Sequence, residues 1–199
     1  MQTRVFVLRH GNTFDKGDIV TRVGGRTDLP LSVSGRAQAE ALGRHFATTP
    51  FATARSGPLK RTRETAHAIL AAQAGAPELT TDLFLREIDY GLDENRPEDE
   101  VVARIGKSAL EAWERDSIVP SGWRVDPDAL IGNWQETFHE LRDRPGNHLI
   151  VTSNGIARFA LHAANAHRAD MKLSTAAWGV FVLEDGEARV ESWNNRAAS

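Results

Sequence analysis

The sequence contains no cysteine. Disulfide bonds, thiolate nucleophiles and thiolate metal ligands are therefore excluded, and the absence indicates a reducing compartment only weakly. The chain also lacks a large excess of either charge, because its formal net charge is -3 at pH 7 and its pI is about 6.2. An overall attraction to nucleic acid or to anionic membranes is not expected, so any anion binding must be local.

Long apolar runs are missing as well. No stretch approaches the length of a bilayer span, and the N-terminal residues lack the basic, apolar and small-residue order of a signal peptide. We therefore expect a soluble, cytoplasmic protein. With 199 residues the chain has room for one full hydrophobic core, and we expect a single domain that spans residues 1–199.

The chain does contain an alternation of strand-like apolar runs with stretches of helical periodicity. This pattern favours a mostly parallel sheet with helices on both faces, which is an α/β fold. We predict strands at residues 3–8, 51–54 and 148–153, and a C-terminal hairpin of residues 179–184 and 187–193 around Asp185-Gly186. We predict helices that begin after Ser32, after residue 58, near Asp126-Pro127 and at residue 155.

The middle of the chain has a different composition. Residues 88–126 are rich in charge, contain two prolines and carry one predicted amphipathic helix. The apolar positions of this helix are Val101, Val102, Ile105 and Trp113. We interpret the segment as an excursion over the C-terminal edge of the sheet, where insertions commonly form the walls of a site.

A candidate anion site follows the first predicted strand. The strand leads into Arg9-His10-Gly11-Asn12-Thr13, a basic pair followed by a glycine that lets the backbone approach a ligand. Ligands of open α/β sheets bind at the carboxyl ends of the strands, so we expect an exposed His10 imidazole to act there as a nucleophile. Arg9 can hold a phosphate through a charge-assisted fork. The alternative is an ordinary strand end with a surface histidine and arginine.

Three later segments fall at the same end of the predicted sheet. The helix after the second strand carries Arg61 in its first turns, where the helix N-terminus favours anions. A short apolar stretch precedes Glu87, and the strand-to-helix turn after residue 152 contains Asn154 and Gly155. Each has a simple structural alternative: a solvated helix charge, a surface carboxylate and a helix cap. Together they add a guanidinium, a carboxyl and an amide to the candidate nucleophile.

These motifs resemble those of the histidine phosphatase superfamily, the phosphoglycerate-mutase-like proteins. Similar stretches cover residues 8–11, 25–43, 56–66 and 85–95, in the order and spacing of the family. The resemblance implies a three-layer α/β sandwich with a mixed, mainly parallel sheet, and an enzyme that needs neither a metal nor a cofactor. Asn95 departs from the pattern, because members often have glycine there.

A larger departure lies at Asn154. The family usually has a second histidine in a Ser-His-Gly setting, where this chain has Ser153-Asn154-Gly155. An asparagine amide donates a hydrogen bond to a phosphate oxygen but does not carry the charge of an imidazolium. A charge-assisted bond is worth about 1.5–3 kcal/mol, so its loss lowers the rate by roughly one to two decades. We therefore expect an active but slower enzyme.

The resemblance implies a two-step mechanism through a phosphohistidine. Neutral His10 attacks the phosphorus of a monoester, and its other ring nitrogen donates to a nearby backbone carbonyl. Glu87 gives its proton to the leaving alkoxide and then takes one from the hydrolytic water. The donors expected on the phosphoryl oxygens are Arg9, Arg61, Asn154 and the amide of Gly155, with Asn12 as a further candidate. Weaker candidates for substrate contact are Phe14, Arg22 and Trp123.

Three functions compete at this level. A phosphomonoesterase acting on a small phosphorylated metabolite is favoured, because the nucleophile, the arginines and the acid are all present in a compact chain. A sugar-phosphate mutase must shelter its phosphohistidine from water, and such members usually have a longer excursion. A catalytically weak phosphate-binding protein is the third possibility. We expect no metal at the helical histidines, which lack a second ligand at metal spacing: His45, His67, His139, His162 and His167.

Overall fold

The computed structural model describes residues 2–166 and 170–197. Its strands are β1 (Thr3–Arg9), β2 (Phe51–Ser56), β3 (Leu79–Thr81), β4 (Gly146–Thr152), β5 (Trp178–Glu184) and β6 (Glu187–Asn195). Its α-helices are α1 (Val33–Phe46), α2 (Lys60–Ala71), α3 (Glu98–Ile105), α4 (Lys107–Asp116), α5 (Pro127–Leu141) and α6 (Asn154–Ala163). Short 3-10 helices cover Leu83–Leu85 and Gly91–Asp93.

The strands form one mixed sheet of order β3-β2-β4-β1-β5-β6. The pairs β1 with β4, β4 with β2 and β2 with β3 are parallel, whereas β1 with β5 and β5 with β6 are antiparallel. The last pair is the predicted hairpin, whose turn residues Asp185 and Gly186 have φ angles of 52° and 83°. Two successive positive φ values are what a tight turn between twisted strands requires. The mixed sheet confirms the predicted α/β fold.

Helices cover both faces of this sheet. On one face, Leu42 and Phe46 of α1 and Ile69 of α2 pack against Leu8 and Val151. On the other face, a separate cluster joins α5 and α6 to the alternate side chains of β1 and β4, and its members include Val5, Val7, Trp134, Phe159 and Ile150. Because β1 is buried on both sides, its sequence is a continuous apolar run. The predicted three layers are therefore present.

Local capping signals set two helix starts where the sequence predicted them. The Ser32 hydroxyl accepts a hydrogen bond from the Gly35 amide at 3.1 Å, which satisfies one of the free donors at the start of α1. The Asp126 carboxylate does the same for the Ala129 amide at 3.0 Å, with Pro127 in the first turn of α5. Among the described residues, no helix has the length and apolarity needed to cross a membrane.

The middle segment differs from the prediction. Its apolar positions lie on two helices, α3 and α4, instead of one, and the chain breaks between them at Gly106. This glycine has a φ of 84°, a conformation that ends a helix and favours glycine over residues with a side chain. Val101 and Trp113 still belong to the same hydrophobic core cluster.

A second difference concerns the approach to Glu87. The sequence predicted that Glu87 follows a short apolar stretch at the end of a strand, but that stretch is the 3-10 helix Leu83–Leu85. The strand of this part of the chain is β3, a three-residue edge strand that was not predicted. A strand this short carries too few residues to show an alternating pattern.

Candidate active site

His10 follows the central strand of the sheet. Its backbone amide donates to the Thr152 carbonyl at 3.1 Å, so the end of β1 and the end of β4 are held side by side. The chain passes from β4 into α6 at Asn154, the first residue of that helix. Since β1 and β4 run parallel, their carboxyl ends bring the two motifs to one edge of the sheet.

The ring of His10 has a defined tautomer. Its Nδ1 lies 2.7 Å from the Gly11 carbonyl oxygen. A carbonyl accepts only, so Nδ1 carries the proton and donates, which leaves the lone pair on Nε2. The Nε of Arg61 donates to this Nε2 at 3.2 Å. The free lone pair of the imidazole is therefore directed at the arginine.

His10 is buried, so the expectation of an exposed imidazole was wrong. Its exposed fraction is 6%, because Arg61 and the backbone around Gly11 enclose the ring. Burial lowers the pKa of His10 well below its usual value of 6.5, and the positive charges of Arg61 and Arg9 lower it further. The hydrogen bond to the Gly11 carbonyl opposes these effects only in part. The imidazole is neutral at physiological pH.

Arg61 is fully buried and held in place by backbone carbonyls. Its Nη1 donates to the Thr27 carbonyl at 2.8 Å, and its Nη2 donates to the Gly24 carbonyl at 3.2 Å. These two bonds fix the plane of the guanidinium and direct Nε to His10. The alternative of a solvated helix charge does not apply, because the exposed fraction of Arg61 is 0%.

Arg9 has an unsatisfied donor beside the nucleophile. Its Nη1 donates to the Leu173 carbonyl at 2.9 Å. Its Nε is buried without a hydrogen-bond partner among the described residues. Buried donors are normally satisfied, so an orphaned N–H of a cation in a cavity is available to an anionic ligand.

Glu87 lies beneath the start of α6. Its exposed fraction is 7%, and its two oxygens accept from the Ile88 amide at 3.0 Å and from the Gly155 amide at 3.3 Å. Burial raises the pKa of Glu87, although Arg61, the Ile88 amide and Arg9 each act in the opposite direction. The Gly155 amide, which was expected on a phosphoryl oxygen, donates in this structure to the carboxyl of Glu87.

The two asparagines of the site have different free groups. The Oδ1 of Asn154 accepts from the Leu173 amide at 2.8 Å, so its Nδ2 is the atom left to donate. The Nδ2 of Asn12 donates to the Ser34 hydroxyl at 3.2 Å. Asn154 therefore presents a free NH2 group, whereas one of the two N–H donors of Asn12 is already engaged within the protein.

A cavity of about 490 Å³ joins most of these residues. Predicted residues that line it are Arg9, His10, Asn12, Phe14, Arg22, Glu87 and Asn154. Arg61 and Gly155 do not line it, and they act from behind His10 and Glu87. Lining residues that the sequence analysis missed are Thr13, Val20, Thr21, Val23, Tyr90, Glu98, Trp113, Glu114, Lys172 and Thr175. A larger cavity of about 690 Å³, beside α5 and the C-terminal hairpin, contains none of the predicted site residues.

Arg22 joins the loop after the motif to the middle segment. Its guanidinium pairs with Glu98 and lies 5.3 Å from the ring centre of Tyr90 and 5.0 Å from that of Trp123. Trp123 was a candidate for substrate contact, but it does not line the cavity. Its Nε1 donates to the buried Asp93 carboxylate at 2.6 Å, so it supports the wall from behind.

An ion pair between the buried Arg158 and the partly exposed Glu114 supports another part of the wall. The Nη2 of Arg158 donates to the Glu114 carboxylate at 3.2 Å, and its guanidinium lies 4.3 Å from the ring centre of Trp113. Arg158 itself has an exposed fraction of 0%. Sequence reasoning missed this pair because a single arginine and a single glutamate, far apart in the chain, carry no motif.

The other histidines have structural surroundings. No group of three or more His, Cys, Asp or Glu side chains that could hold a metal ion occurs within residues 2–166 and 170–197. The His45 ring packs 4.7 Å from that of Trp178, and Nδ1 of His148 lies 2.8 Å from the Thr53 hydroxyl. His167 lies outside the described residues.

Known proteins resemble this chain over most of its length. The family model of the histidine phosphatase superfamily (branch 1) matches residues 5–196. The chain is 33% identical over 156 residues to 2,3-bisphosphoglycerate-dependent phosphoglycerate mutase 2 of Gloeobacter violaceus, covering 75% of this chain and 69% of that protein.

Solved structures with the same fold include both phosphatases and mutases. The phosphoglycerate mutase from Bacillus anthracis str. Sterne superposes with a TM-score of 0.81 at 22% identity, covering 98% of this chain and 93% of that one. Mycobacterial glucosyl-3-phosphoglycerate phosphatase superposes with a TM-score of 0.78 at 19% identity, covering 98% and 99%. At these identities the likeness concerns the fold.

Proposed function

Because this chain belongs to the histidine phosphatase superfamily, we propose that it hydrolyses a small phosphomonoester through a phosphohistidine formed on His10. The observation that carries the proposal is the tautomer of this histidine, with the Nδ1 proton held by the Gly11 carbonyl and the Nε2 lone pair beside Arg61. The proposed reaction uses no metal or cofactor and takes place in the cytoplasm, with no nucleic acid or membrane as partner.

In the first step, Nε2 of His10 forms a bond to phosphorus while the ester P–O bond breaks. Arg61 supports this step because its Nε, which donates to Nε2, can shift that hydrogen bond to an arriving phosphoryl oxygen. The lone pair is thereby released when the substrate is in position. The orphaned Nε of Arg9 and the Nδ2 of Asn154 supply further donors as charge spreads over the phosphoryl oxygens.

Glu87 supplies the proton that the leaving oxygen needs. Its raised pKa favours the protonated form, and it lines the same cavity as His10. After transfer to the alcohol, its carboxylate takes a proton from the water that attacks the phosphohistidine. The N–P bond then breaks, inorganic phosphate leaves and His10 returns to its neutral tautomer.

The wall formed by residues 88–126 favours hydrolysis over phosphate transfer between two phosphorylated substrates. Within the proposed single domain, this segment contributes the carboxylates of Glu98 and Glu114 to the cavity. A mutase must retain a bisphosphate, and this segment offers no cation for a second phosphate group, because the residues that it contributes to the cavity are Tyr90, Glu98, Trp113 and Glu114. Phosphoglycerate-mutase-type transfer remains the second candidate, because a relative at 33% identity bears that name.

The test is a phosphate-release screen across phosphorylated metabolites and an aryl phosphate, run with the wild type and with His10→Ala. We expect release by the wild type and a loss of at least about 10³-fold in the variant. Mass spectrometry of the quenched wild type should find one phosphoryl group on the His10 peptide, labile in acid. Phosphatase activity in a folded His10→Ala protein contradicts the proposal.

Two further assays separate the alternatives. Interconversion of 3-phosphoglycerate and 2-phosphoglycerate, in the presence of the bisphosphate and faster than phosphate release, identifies a mutase. Binding of inorganic phosphate without turnover of any substrate identifies a phosphate-binding protein that has lost its chemistry. Circular dichroism of each variant checks that the fold is retained.

A further inference from the structure

Lys172 lines the same cavity as His10, although no sequence motif marks it. It belongs to the segment between α6 and β5. The residue after it, Leu173, forms hydrogen bonds through both its amide and its carbonyl to the side chains proposed to bind phosphate. The Leu173 amide donates to Oδ1 of Asn154 at 2.8 Å, and the Leu173 carbonyl accepts from Nη1 of Arg9 at 2.9 Å. The backbone beside Lys172 is therefore anchored to the two donors that flank the nucleophile.

The ammonium of Lys172 is in no ion pair of the described residues, and the neighbouring Asp170 carboxylate accepts instead from the Lys172 backbone amide at 2.9 Å. Arg22, the other cation toward the mouth of the cavity, pairs with Glu98. The carboxylate of Glu114 pairs with Arg158. Among the described residues, no carboxylate pairs with the ammonium of Lys172, which is exposed. An unpaired cation in a cavity that also holds Arg9 favours a dianionic ligand.

We propose that Lys172 supplies the positive charge that Asn154 lacks, by placing its ammonium on the phosphoryl group that is transferred to His10. The proposal rests on the function proposed above. Lysine suits this role because its side chain is long and flexible and ends in a compact positive charge with three N–H donors. The Asn154 amide can donate a hydrogen bond to a phosphoryl oxygen but brings no charge to it. The decrease in rate expected from asparagine in place of histidine at position 154 is then offset in part.

The direct test compares Lys172→Met with Lys172→Arg and with the control Lys107→Met. Lys107 is an exposed lysine of α4 that pairs with Glu111 and does not line the cavity. The readouts are the calorimetric Kd for inorganic phosphate and kcat/KM for aryl phosphates whose leaving groups carry no charge. Because Lys172 is exposed, all variants should unfold at the Tm of the wild type.

We expect Lys172→Met to weaken phosphate binding by about 10- to 100-fold and to lower kcat/KM by a similar factor for every aryl phosphate. Lys172→Arg should recover most of both losses, and Lys107→Met should change neither. An unchanged Kd for phosphate overturns the proposal. So does a loss confined to substrates with an anionic leaving group, because the lysine then contacts the other end of the substrate.

A double-mutant cycle with Asn154→His tests the compensation itself. An imidazolium at position 154 supplies the charge, so Lys172→Met should cost at least about 5-fold less in that background than in the wild type. Additive effects of the two substitutions count against the proposal. Phosphate binding is measured without turnover, so the two failures are distinguishable: binding through Lys172 without hydrolysis contradicts the proposed function, whereas hydrolysis with an unchanged Kd in Lys172→Met contradicts the role of Lys172.

Discussion

The Nε of Arg61 donates a hydrogen bond to Nε2 of His10 across 3.2 Å, so the cation proposed to bind the phosphoryl oxygens already contacts the proposed nucleophile. Two consequences follow from this contact. The positive charge helps to keep the imidazole neutral, and the bond keeps the lone pair engaged until an anion arrives. Both effects depend on the guanidinium plane, which backbone carbonyls fix on its far side.

The first prediction concerns Arg61→Lys. A lysine ammonium cannot donate in a fixed plane to the Thr27 and Gly24 carbonyls and also to His10. We expect kcat/KM to fall by about 10²- to 10³-fold and the Tm to decrease, because buried carbonyls lose their donors. Arg63→Lys, at an exposed position of the same helix, is the matched control and should leave both quantities unchanged. Equal activities of the two variants would remove Arg61 from the mechanism.

The second prediction concerns Glu87→Gln. An amide cannot give a proton to the leaving oxygen, so hydrolysis of alkyl phosphates should slow by about 10²- to 10⁴-fold. Aryl phosphates with acidic phenols need little protonation, and their bond-breaking step should slow far less. The measurement is the dependence of single-turnover rates on leaving-group pKa. The same slope for wild type and variant would show that Glu87 does not act as the acid.

The third prediction is the pH profile of the wild type on an alkyl phosphate. The pKa of His10 lies below its usual 6.5, so the rate should fall on the acid side only below that pH, where the nucleophile becomes protonated. The pKa of Glu87 lies above its usual 4.5, so the loss on the alkaline side should begin above that pH, where the acid becomes ionised. The profile of Glu87→Gln on the same substrate shows how much of the pH dependence comes from ionisation of the substrate itself. An alkaline limb that persists unchanged in this variant belongs to another group.

The fourth prediction uses Gly155→Ala. A Cβ at this position would lie 2.2 Å from Oε1 of Glu87, and the site has no room for both atoms. The carboxyl must move, so the variant should lose activity on alkyl phosphates in the manner of Glu87→Gln. Gly132→Ala, in α5, is the control, because a Cβ there meets nothing within 4 Å. It should keep full activity and gain up to about 1 kcal/mol in the free energy of unfolding. Full activity of Gly155→Ala on alkyl phosphates contradicts the assigned contact.

The fifth prediction concerns Asp93→Asn. This carboxylate is buried and receives hydrogen bonds from Arg104 of α3 and from Trp123. Its pKa is lowered, so at neutral pH its charge contributes fully to stability, and the contribution is lost as pH falls through the folded-state value. We expect the free energy of unfolding to drop by about 2–4 kcal/mol in urea titrations at pH 7.

The control for that substitution is Asp143→Asn, at a side chain that is 86% exposed. It should change the free energy of unfolding by less than about 0.5 kcal/mol. The two stabilities should converge as the pH is lowered toward the range in which Asp93 is protonated. A constant difference at every pH would show that the charge of Asp93 is not the cause.

The fold was largely predictable because its signals are local. The Ser32 and Asp126 caps and the Asp185-Gly186 turn each act within a few residues, and all three lie where the sequence indicated. The break at Gly106 was missed because the apolar periodicity of the segment continues through it. A glycine in a helical pattern is tolerated in many proteins, so its φ angle cannot be known from its neighbours in the chain.

The site was only partly predictable. The motifs identified the residue types that meet at the sheet edge, but not which of their atoms are free. The Gly155 amide donates to Glu87 and one N–H of the Asn12 side chain donates to Ser34, and both contacts join segments that are distant in sequence.

The amino-acid sequence by itself determined most of the helices and strands, except β3 and the break at Gly106, because caps, turns and apolar periodicity act over short distances along the chain. It also determined which chemical groups are expected at the carboxyl edge of the sheet. Tertiary structure alone decided that the His10 lone pair faces Arg61, that the carboxyl of Glu87 is buried and that Lys172 shares their cavity. Tautomer, burial and proximity of charges depend on groups that only folding brings together, so no local pattern encodes them.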